Sequence, residues 1–387
     1  MIRRWGVFFG AIVLGGCSTI GGWFGEDDNA EPPTPLVDLV DPMSVTRLWS
    51  TSVGAGSEGK RVNLAPKLYG DRLYAADHEG KVVALNVADG STAWDVDLDV
   101  EVVSGPAIAG GGLLVLGTAN AGVIALESED GSERWRGKAT SLVLATAEGG
   151  GDMVVVRSVD GKLAGLEAGD GHRRWLFEQT VPVLSLRGVG TPVIYDDAVY
   201  VGFANGKFAA LRTVDGSPLW ESAITVPRGR SELARVVDVD ADPVVRSDRI
   251  YAASYQGEVA ALVRDTGIVL WRKEMSVVSG VEEFGGLVYV SDEFSDVQGL
   301  DADSGASLWK QDALHARALT GPVVDGDYLV VGDFEGWLHW LSREDGSIVA
   351  RVQLDKSPIQ TRPLVSGDIV YAYGSEGDLA AYRLERP

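Results

Sequence analysis

The stretch PKLYGDRLYAADHEGKVVALNVADGSTAW, Pro66 to Trp94, decides the fold. Pro66 opens a strand, Gly70-Asp71 turns it, and Arg72 to Ala76 runs back. Glu79-Gly80 makes the next turn, Lys81 to Leu85 is a third strand, Asp89-Gly90 turns again, and Trp94 lies in a fourth. Runs rich in Val, Leu and Tyr, punctuated by Asp-Gly pairs, are the signature of antiparallel hairpins, because glycine supplies the positive φ of a tight turn.

The unit recurs to the end of the chain. The leucine that closes the third strand returns as Leu85, Leu126, Leu166, Leu211, Leu262, Leu300 and Leu341, with Tyr382 in the eighth place, at spacings of 38 to 51 residues. Five residues later comes a turn glycine: Gly90, Gly131, Gly171, Gly216, Gly267, Gly305 and Gly346. Four further on stand Trp94, Trp135, Trp175, Trp220, Trp271 and Trp309, with Ala350 breaking the series. The eighth copy, Pro363 to Tyr382, ends before a fourth strand, while Trp49, in Arg47-Leu48-Trp49, has no repeat before it. If the N-terminal strand completes the last unit, the chain is an all-β, eight-bladed β-propeller of four-stranded antiparallel blades, which leaves only short protected edges.

Composition agrees. The 387 residues carry 49 glycines and 11 tryptophans, as many short strands and tight turns require. The tryptophans read as rings packing each outer strand against the next blade. Trp337 and Trp340, in the blade with Ala350, either fill that space or form an exposed apolar patch. A formal charge of −22 argues against nucleic acid, since a polyphosphate binder needs a basic face.

The first residues carry an address. Arg3 and Arg4 precede a short apolar run, Val7 to Leu14, too short to span a bilayer as a mature helix. It ends in Leu14-Gly15-Gly16-Cys17, which resembles the lipobox of bacterial lipoproteins, and Cys17 is the only cysteine, so no internal disulfide is possible. The resemblance implies a signal peptide over 1–16, acylation of Cys17 and, with Ser18 rather than Asp following, a lipid anchor on the periplasmic face of a Gram-negative outer membrane. Residues 17–44, interrupted by Pro32, Pro33, Pro35 and Pro42, read as a flexible tether, and 45–387 as the propeller.

The Ala-Leu, Asp-Gly and Trp positions are similar to the quinoprotein (PQQ) repeat rather than to WD40, since only Trp94 is followed by Asp. That resemblance brings a PQQ-dependent enzyme or sensor into consideration. Such enzymes use calcium, a catalytic carboxylate and often a vicinal disulfide, and a single cysteine excludes the last. The runs Asp95-x-Asp97-x-Asp99 and Asp238-x-Asp240-x-Asp242 lack the loop glycine and closing glutamate of a calcium loop. His78, His172, His315 and His339 show no metal-ligand spacing, and Glu282 and Glu283, adjacent on a strand, point to opposite faces. No catalytic residue, metal or cofactor is therefore assigned.

Binding is expected where loops between blades are elaborated. The intervals Trp175–Trp220 and Trp220–Trp271, at 45 and 51 residues, are long and consecutive. One contains Pro182-Val183-Leu184-Ser185-Leu186-Arg187-Gly188, the other the stretch Arg228 to Asp242, and side by side they would make one amphipathic patch. The alternative is that Leu184 and Leu186 begin the next inner strand while the aspartates are merely solvated. Leu-Ser-Leu-Arg-Gly before one blade and Asp-Val-Asp before the next are similar to features of the BamB family of the outer-membrane β-barrel assembly (BAM) machinery. In that family the two loops contact a periplasmic POTRA domain of BamA. The resemblance covers essentially the whole mature chain, except that Arg228, Arg230 and Arg235 depart from it in the flanks. It implies a non-enzymatic scaffold, monomeric within the complex, that supports folding and insertion of outer-membrane proteins. Leu184, Leu186, Arg187, Asp238 and Asp240 would contact BamA, and through it the scaffold would meet the other BAM lipoproteins. It also implies transient contact with unfolded outer-membrane clients by β-augmentation. A polysaccharide-binding propeller, using Trp337 and Trp340, is a third reading.

Overall fold

In the computed structural model every blade is a four-stranded antiparallel sheet, and eight of them follow one another along the chain. The structure describes residues 31–60, 62–146, 151–182, 184, 190–226, 236–239 and 241–386. Strand β1 (Val45–Ser52) precedes the first complete blade, β2–β5 (Lys67–Tyr69, Arg72–Ala76, Lys81–Asn86, Thr92–Asp97). Blade 2 is β6–β9 (Val102–Ala109, Leu113–Thr118, Gly122–Glu127, Glu133–Lys138), and blade 3 is β10–β13 (Val143–Thr146, Met153–Ser158, Lys162–Glu167, Arg173–Glu178). Blade 4 is β14–β17 (Val193–Tyr195, Ala198–Gly202, Lys207–Arg212, Pro218–Ala223), and blade 5 is β18–β21 (Val244–Val245, Arg249–Ala253, Glu258–Val263, Val269–Glu274). Blade 6 is β22–β25 (Val281–Phe284, Leu287–Ser291, Val297–Asp301, Ser307–Gln311), and blade 7 is β26–β29 (Val323–Asp325, Tyr328–Gly332, Trp337–Ser342, Ile348–Gln353). Blade 8 has β30–β32 (Leu364–Ser366, Ile369–Tyr373, Asp378–Leu384), and its outer strand is β1, paired from Val45↔Leu384 to Ser52↔Asp378. The N-terminal strand thus closes the ring, as the mismatch between the two ends of the repeat requires.

Burial follows from the stacking. The second and third strands of each blade lie between neighbours on both faces, so Leu73–Ala76 and Val82–Leu85 are buried without alternation. The outer strand meets a neighbour on one face only, and Thr92–Asp97 alternates accordingly, with Asp95 and Asp97 outward.

Each outer-strand tryptophan is seated on the next blade's turn glycine. At Gly171 an added Cβ would lie 2.5 Å from Trp135 Cε3, and the backbone there has φ +74°, so only glycine fits both the ring and the turn. The indole Nε1 donates to the carbonyl three residues before that glycine: Trp49 to Val87 at 2.9 Å, Trp135 to Ala168 at 2.8 Å, Trp271 to Ala302 at 2.9 Å. On its own sheet the ring faces a small residue, as in Ala84↔Trp94, Gly165↔Trp175 and Ala381↔Trp49.

Blade 7 inverts this pair. Trp340 on the third strand faces Ala350 on the fourth, is fully buried, and donates Nε1 to Asp325 Oδ2 at 3.0 Å. The eighth blade has no Asp-Gly turn, because its fourth strand comes from the other end of the chain, so no glycine seat exists for a ring at position 350. Trp340 therefore fills the space from the neighbouring strand. Trp337 is half-buried with the Arg351 guanidinium 5.8 Å from its ring centroid. A shared aromatic platform for sugar is not formed by this pair.

The strandless residues Thr34 to Met43 lie along blades 6 and 7. Thr34 N donates to His315 O at 3.0 Å, Met43 N donates to Val349 O at 2.9 Å, and Arg351 bonds the Val37 carbonyl. Arg317 Nη1 donates to Thr34 O at 3.1 Å, and Arg317 is itself buried, its Nε bonded to Asp333 Oδ2 at 2.8 Å. His339 Nε2 meets the same carboxylate oxygen at 3.0 Å. Burial alone would raise the Asp333 pKa, but hydrogen bonds from His339, Arg317 and the Trp337 backbone hold it below the usual carboxylate range. Burial pushes the His339 pKa down, aided by Arg317 and Arg351 and opposed by Asp333, so the ring is neutral at pH 7 and donates from Nε2. Both shifts act in the same direction on acidification. His339 destabilises the fold as the unfolded ring takes up a proton below about pH 6.5, and Asp333 loses its contribution at still lower pH, below about 3.9. The melting temperature should therefore fall between pH 7 and pH 5, and His339→Gln, which keeps a donor to Asp333, should flatten that fall. An unchanged slope in melts at pH 5, 6 and 7 would remove His339 from the account.

Candidate functional site

Turns between second and third strands share one face with the loops that join blades. On this face the loop joining blades 3 and 4 (179–192) meets the loop joining blades 4 and 5 (224–243). Their meeting is fixed by polar contacts. Asp242 Oδ1 accepts from Thr191 N at 2.6 Å, and the Gly190 carbonyl accepts from the buried Arg157 at 3.0 Å. Val237 pairs with Asn205 in a parallel bridge, Val239 N donates to Phe203 O at 3.2 Å, and Asp238 O accepts from Tyr255 N at 2.8 Å. The segment 236–239 is thereby clipped between the turns of blades 4 and 5. Gly202 makes room for it, since a Cβ there would fall 2.3 Å from Val239 O.

The two elaborated loops are thus adjacent, as their consecutive placement along the repeat demands. Leu184, in the first of these loops, is 46% exposed, an apolar side chain offered to solvent, and it is not part of an inner strand. Asp238, expected to contact a partner or else to be solvated, has no exposed area. The reason is visible in its neighbours: Val236, Val237, Val239 and Ala241 are all buried, so the segment runs inward as a plug rather than outward as a strand with one wet face. Leu186, Arg187, Asp240, Cys17 and the stretch 228–235 lie outside the described residues.

Other groups on this face escaped the sequence reading. Val226 is 60% exposed at the start of the second loop, and Phe294 is 53% exposed in the blade 6 turn where blades 1 and 7 carry Glu79 and Glu335. Phe294 stacks on His315 at 5.9 Å between centroids and borders a cavity of about 390 Å³ lined by Met275, Asp292, Lys273 and Lys310. Asp296 binds both Lys310, at 2.6 Å, and His315, at 2.9 Å, while burial raises the Asp292 pKa. A single aromatic inside a turn of ordinary length leaves no length signal, and its only trace is the replacement of a charged residue.

Glu282 and Glu283 are both engaged by arginines: Arg246 of blade 5 lies 2.8 Å from Glu283 and 3.8 Å from Glu282, and Glu282 also takes Arg362, ahead of β30. Neither is left free to act as half of an acid pair. The arrangement offers apolar anchors with charged surroundings on a rigid ring, which is what a protein-binding face consists of. The class defined is an eight-bladed propeller of PQQ-type repeats carrying elaborated inter-blade loops on one face.

The family described as "Outer membrane protein assembly factor BamB" matches residues 37–99, 88–311 and 293–385. Relatives bearing that name include one from Xanthomonas campestris, 43% identical over 96% of this chain and 95% of its own length. Another, from Pseudomonas aeruginosa, is 42% identical over 97% of each. A third, from Escherichia coli, is 38% identical over 94% of each. Among solved structures, BamB from Moraxella catarrhalis superimposes with a TM-score of 0.80 at 29% identity, over 88% of this chain and 100% of that one. The chain belongs to the BamB family of outer membrane protein assembly factors. A quinohemoprotein alcohol dehydrogenase from Pseudomonas putida shares the fold alone, at 12% identity and a TM-score of 0.69.

Proposed function

We propose that this chain is a non-enzymatic scaffold lipoprotein of the BAM complex, anchored through Cys17 to the periplasmic face of the outer membrane, that binds the POTRA region of BamA. The observation that carries the reading is the fixed junction of the two inter-blade loops, the first of which also exposes Leu184. An interface of this kind draws its energy from a few anchors, here Leu184, Leu186 and Arg187, surrounded by polar groups that exclude water. Asp238 contributes from beneath: its side chain is fully buried in the segment 236–239, and its carbonyl accepts from Tyr255 N at 2.8 Å. Within the expected tether, 17–44, Thr34 and Met43 bond to groups of blades 6 and 7. Partner binding positions BamA while outer-membrane proteins fold and insert, and no step of that work needs a cofactor.

The test is capture of BamA from outer membranes in mild detergent. Leu184→Asp and Arg187→Ala should each reduce recovery roughly tenfold or more, as loss of a hot-spot anchor does, with the melting temperature unchanged. Asp238→Ala should lower recovery and melting temperature together. Full recovery by both Leu184→Asp and Arg187→Ala would overturn the site.

A further inference from the structure

We propose that Glu58, His78 and Glu79 form a site for one divalent transition-metal ion at the seam where the ring closes. The side chain of His78 is 5% exposed, and its Nδ1 lies 3.1 Å from the Gly56 carbonyl. A carbonyl can only accept, so Nδ1 carries a proton, and in the neutral ring Nε2 then presents a lone pair. That lone pair faces Glu58 Oε2 at 3.4 Å. Two acceptors pointed at one another repel unless a cation lies between them. A proton there would draw nitrogen and oxygen to about 2.7–2.9 Å, the length of a charge-assisted bond. Two ligands on one tetrahedral zinc, each about 2.0–2.1 Å from the metal, stand about 3.4 Å apart. At 3.4 Å the His78–Glu58 pair leaves the room that an ion between the two atoms would take.

Glu79 supplies a third donor. One ligand atom from each of the three residues lies within 4.8 Å of the others, and the exposed Glu79 side chain is free to close the remainder. One nitrogen with two carboxylate oxygens suits zinc and its neighbours in the first transition row. Calcium asks for six to eight oxygens. The backbone is set before any ion arrives. His78 N donates to Gly56 O at 2.8 Å and Val102 N to His78 O at 3.0 Å, while Ser57 N and Glu58 N both donate to Ser375 O, at 2.8 and 3.0 Å. Histidine spacing along the chain gives no hint of this, because Glu58 follows the closing strand β1 whereas His78 and Glu79 belong to the turn between β3 and β4. An ion bound here joins the last-placed strand of blade 8 to blade 1, and so stabilises the closed ring by binding the folded state alone.

The experiment uses the mature chain, stripped with chelator and desalted, titrated with zinc chloride by calorimetry and with cobalt chloride by visible absorption. One ion per chain, cobalt bands of four-coordinate N/O type, and a zinc-dependent rise in melting temperature are expected. His78→Gln should abolish all three. Glu58→Gln should weaken binding beyond the roughly 10–100-fold typical of a lost supporting contact. His172→Gln, which removes the exposed His172–Asp170 pair at 2.9 Å, should change nothing. No zinc uptake at millimolar concentration would overturn the site and assign the contact to an imidazolium–carboxylate pair. Uptake that survives both His78→Gln and Glu58→Gln would equally overturn it, as surface binding. Should His78→Gln not fold, the decision falls to Glu58→Gln, whose side chain is largely exposed.

Discussion

A chain beginning at Val53, and so lacking β1, is expected not to fold, and the same chain with Val45–Ser52 joined after Leu384 through an Asp-Gly turn is expected to fold again. The strand pairs along its length with β32, seats Trp49 on Gly90 of blade 1, and sets the Trp49 ring 5.9 Å from that of Tyr371. Losing the indole alone should cost about 3–5 kcal/mol. Losing the strand also exposes the edge of β32, whose residues Leu379 to Tyr382 are buried. Against a total stability of about 5–15 kcal/mol for an ordinary domain, the sum leaves little or nothing. Moving the strand to the other terminus restores its contacts with β32, Gly90 and Tyr371; the passage from Ser52 to Val53 becomes an ordinary hairpin, and only the bonds of Thr34–Ser44 to their neighbours stay lost. Circular dichroism melts and gel filtration decide the matter. A monomeric Val53 chain melting cooperatively within a few degrees of the parent would show that the ring does not need closing by this strand.

The architecture was legible because the forces that define it act on fixed positions. A turn needs positive φ, a ring needs a seat, and a doubly covered strand needs uninterrupted apolar residues, so Leu85, Gly90 and Trp94 recur wherever a blade recurs. The same logic explains the one broken position. Ala350 reads as a missing tryptophan until the register pairs it with Trp340, and pairing across strands is not visible along a single strand. The binding face was legible only in outline. Loop length disclosed that two neighbouring loops are elaborated, but the depth of each residue depends on what clips the segment down. Asp-Val-Asp alternates like a half-exposed strand, yet Asn205, Phe203 and Tyr255 pull the stretch inward and bury Asp238. Phe294, the Asp242–Thr191 bond and the Glu58–His78 contact were missed for a related reason: each acts through a partner supplied by a different blade or loop.

Trp340→Ala is expected to cost about 3–5 kcal/mol and Ala350→Trp about 1–3 kcal/mol, yet the two together should cost well below the sum. The first leaves a cavity beside Ala350 and frees Asp325 Oδ2 of its indole donor. The second forces two indoles into the space of one. Combined, they recreate the small-facing-large order of the other blades, as in Ala261↔Trp271, with the ring on the fourth strand. Rescue should be incomplete, because blade 8 has no turn glycine on which that ring could sit, and the shortfall measures what a glycine seat contributes. The comparison is available within the same protein: Trp271→Ala, whose ring rests on Gly305 and donates to Ala302 O, removes packing and seat at once. It should therefore exceed the residual cost of the double variant. Chemical denaturation of the four proteins gives the coupling directly. Strict additivity of the two blade 7 changes would mean that Trp340 and Ala350 do not share one volume, and that the inverted pair has some other cause.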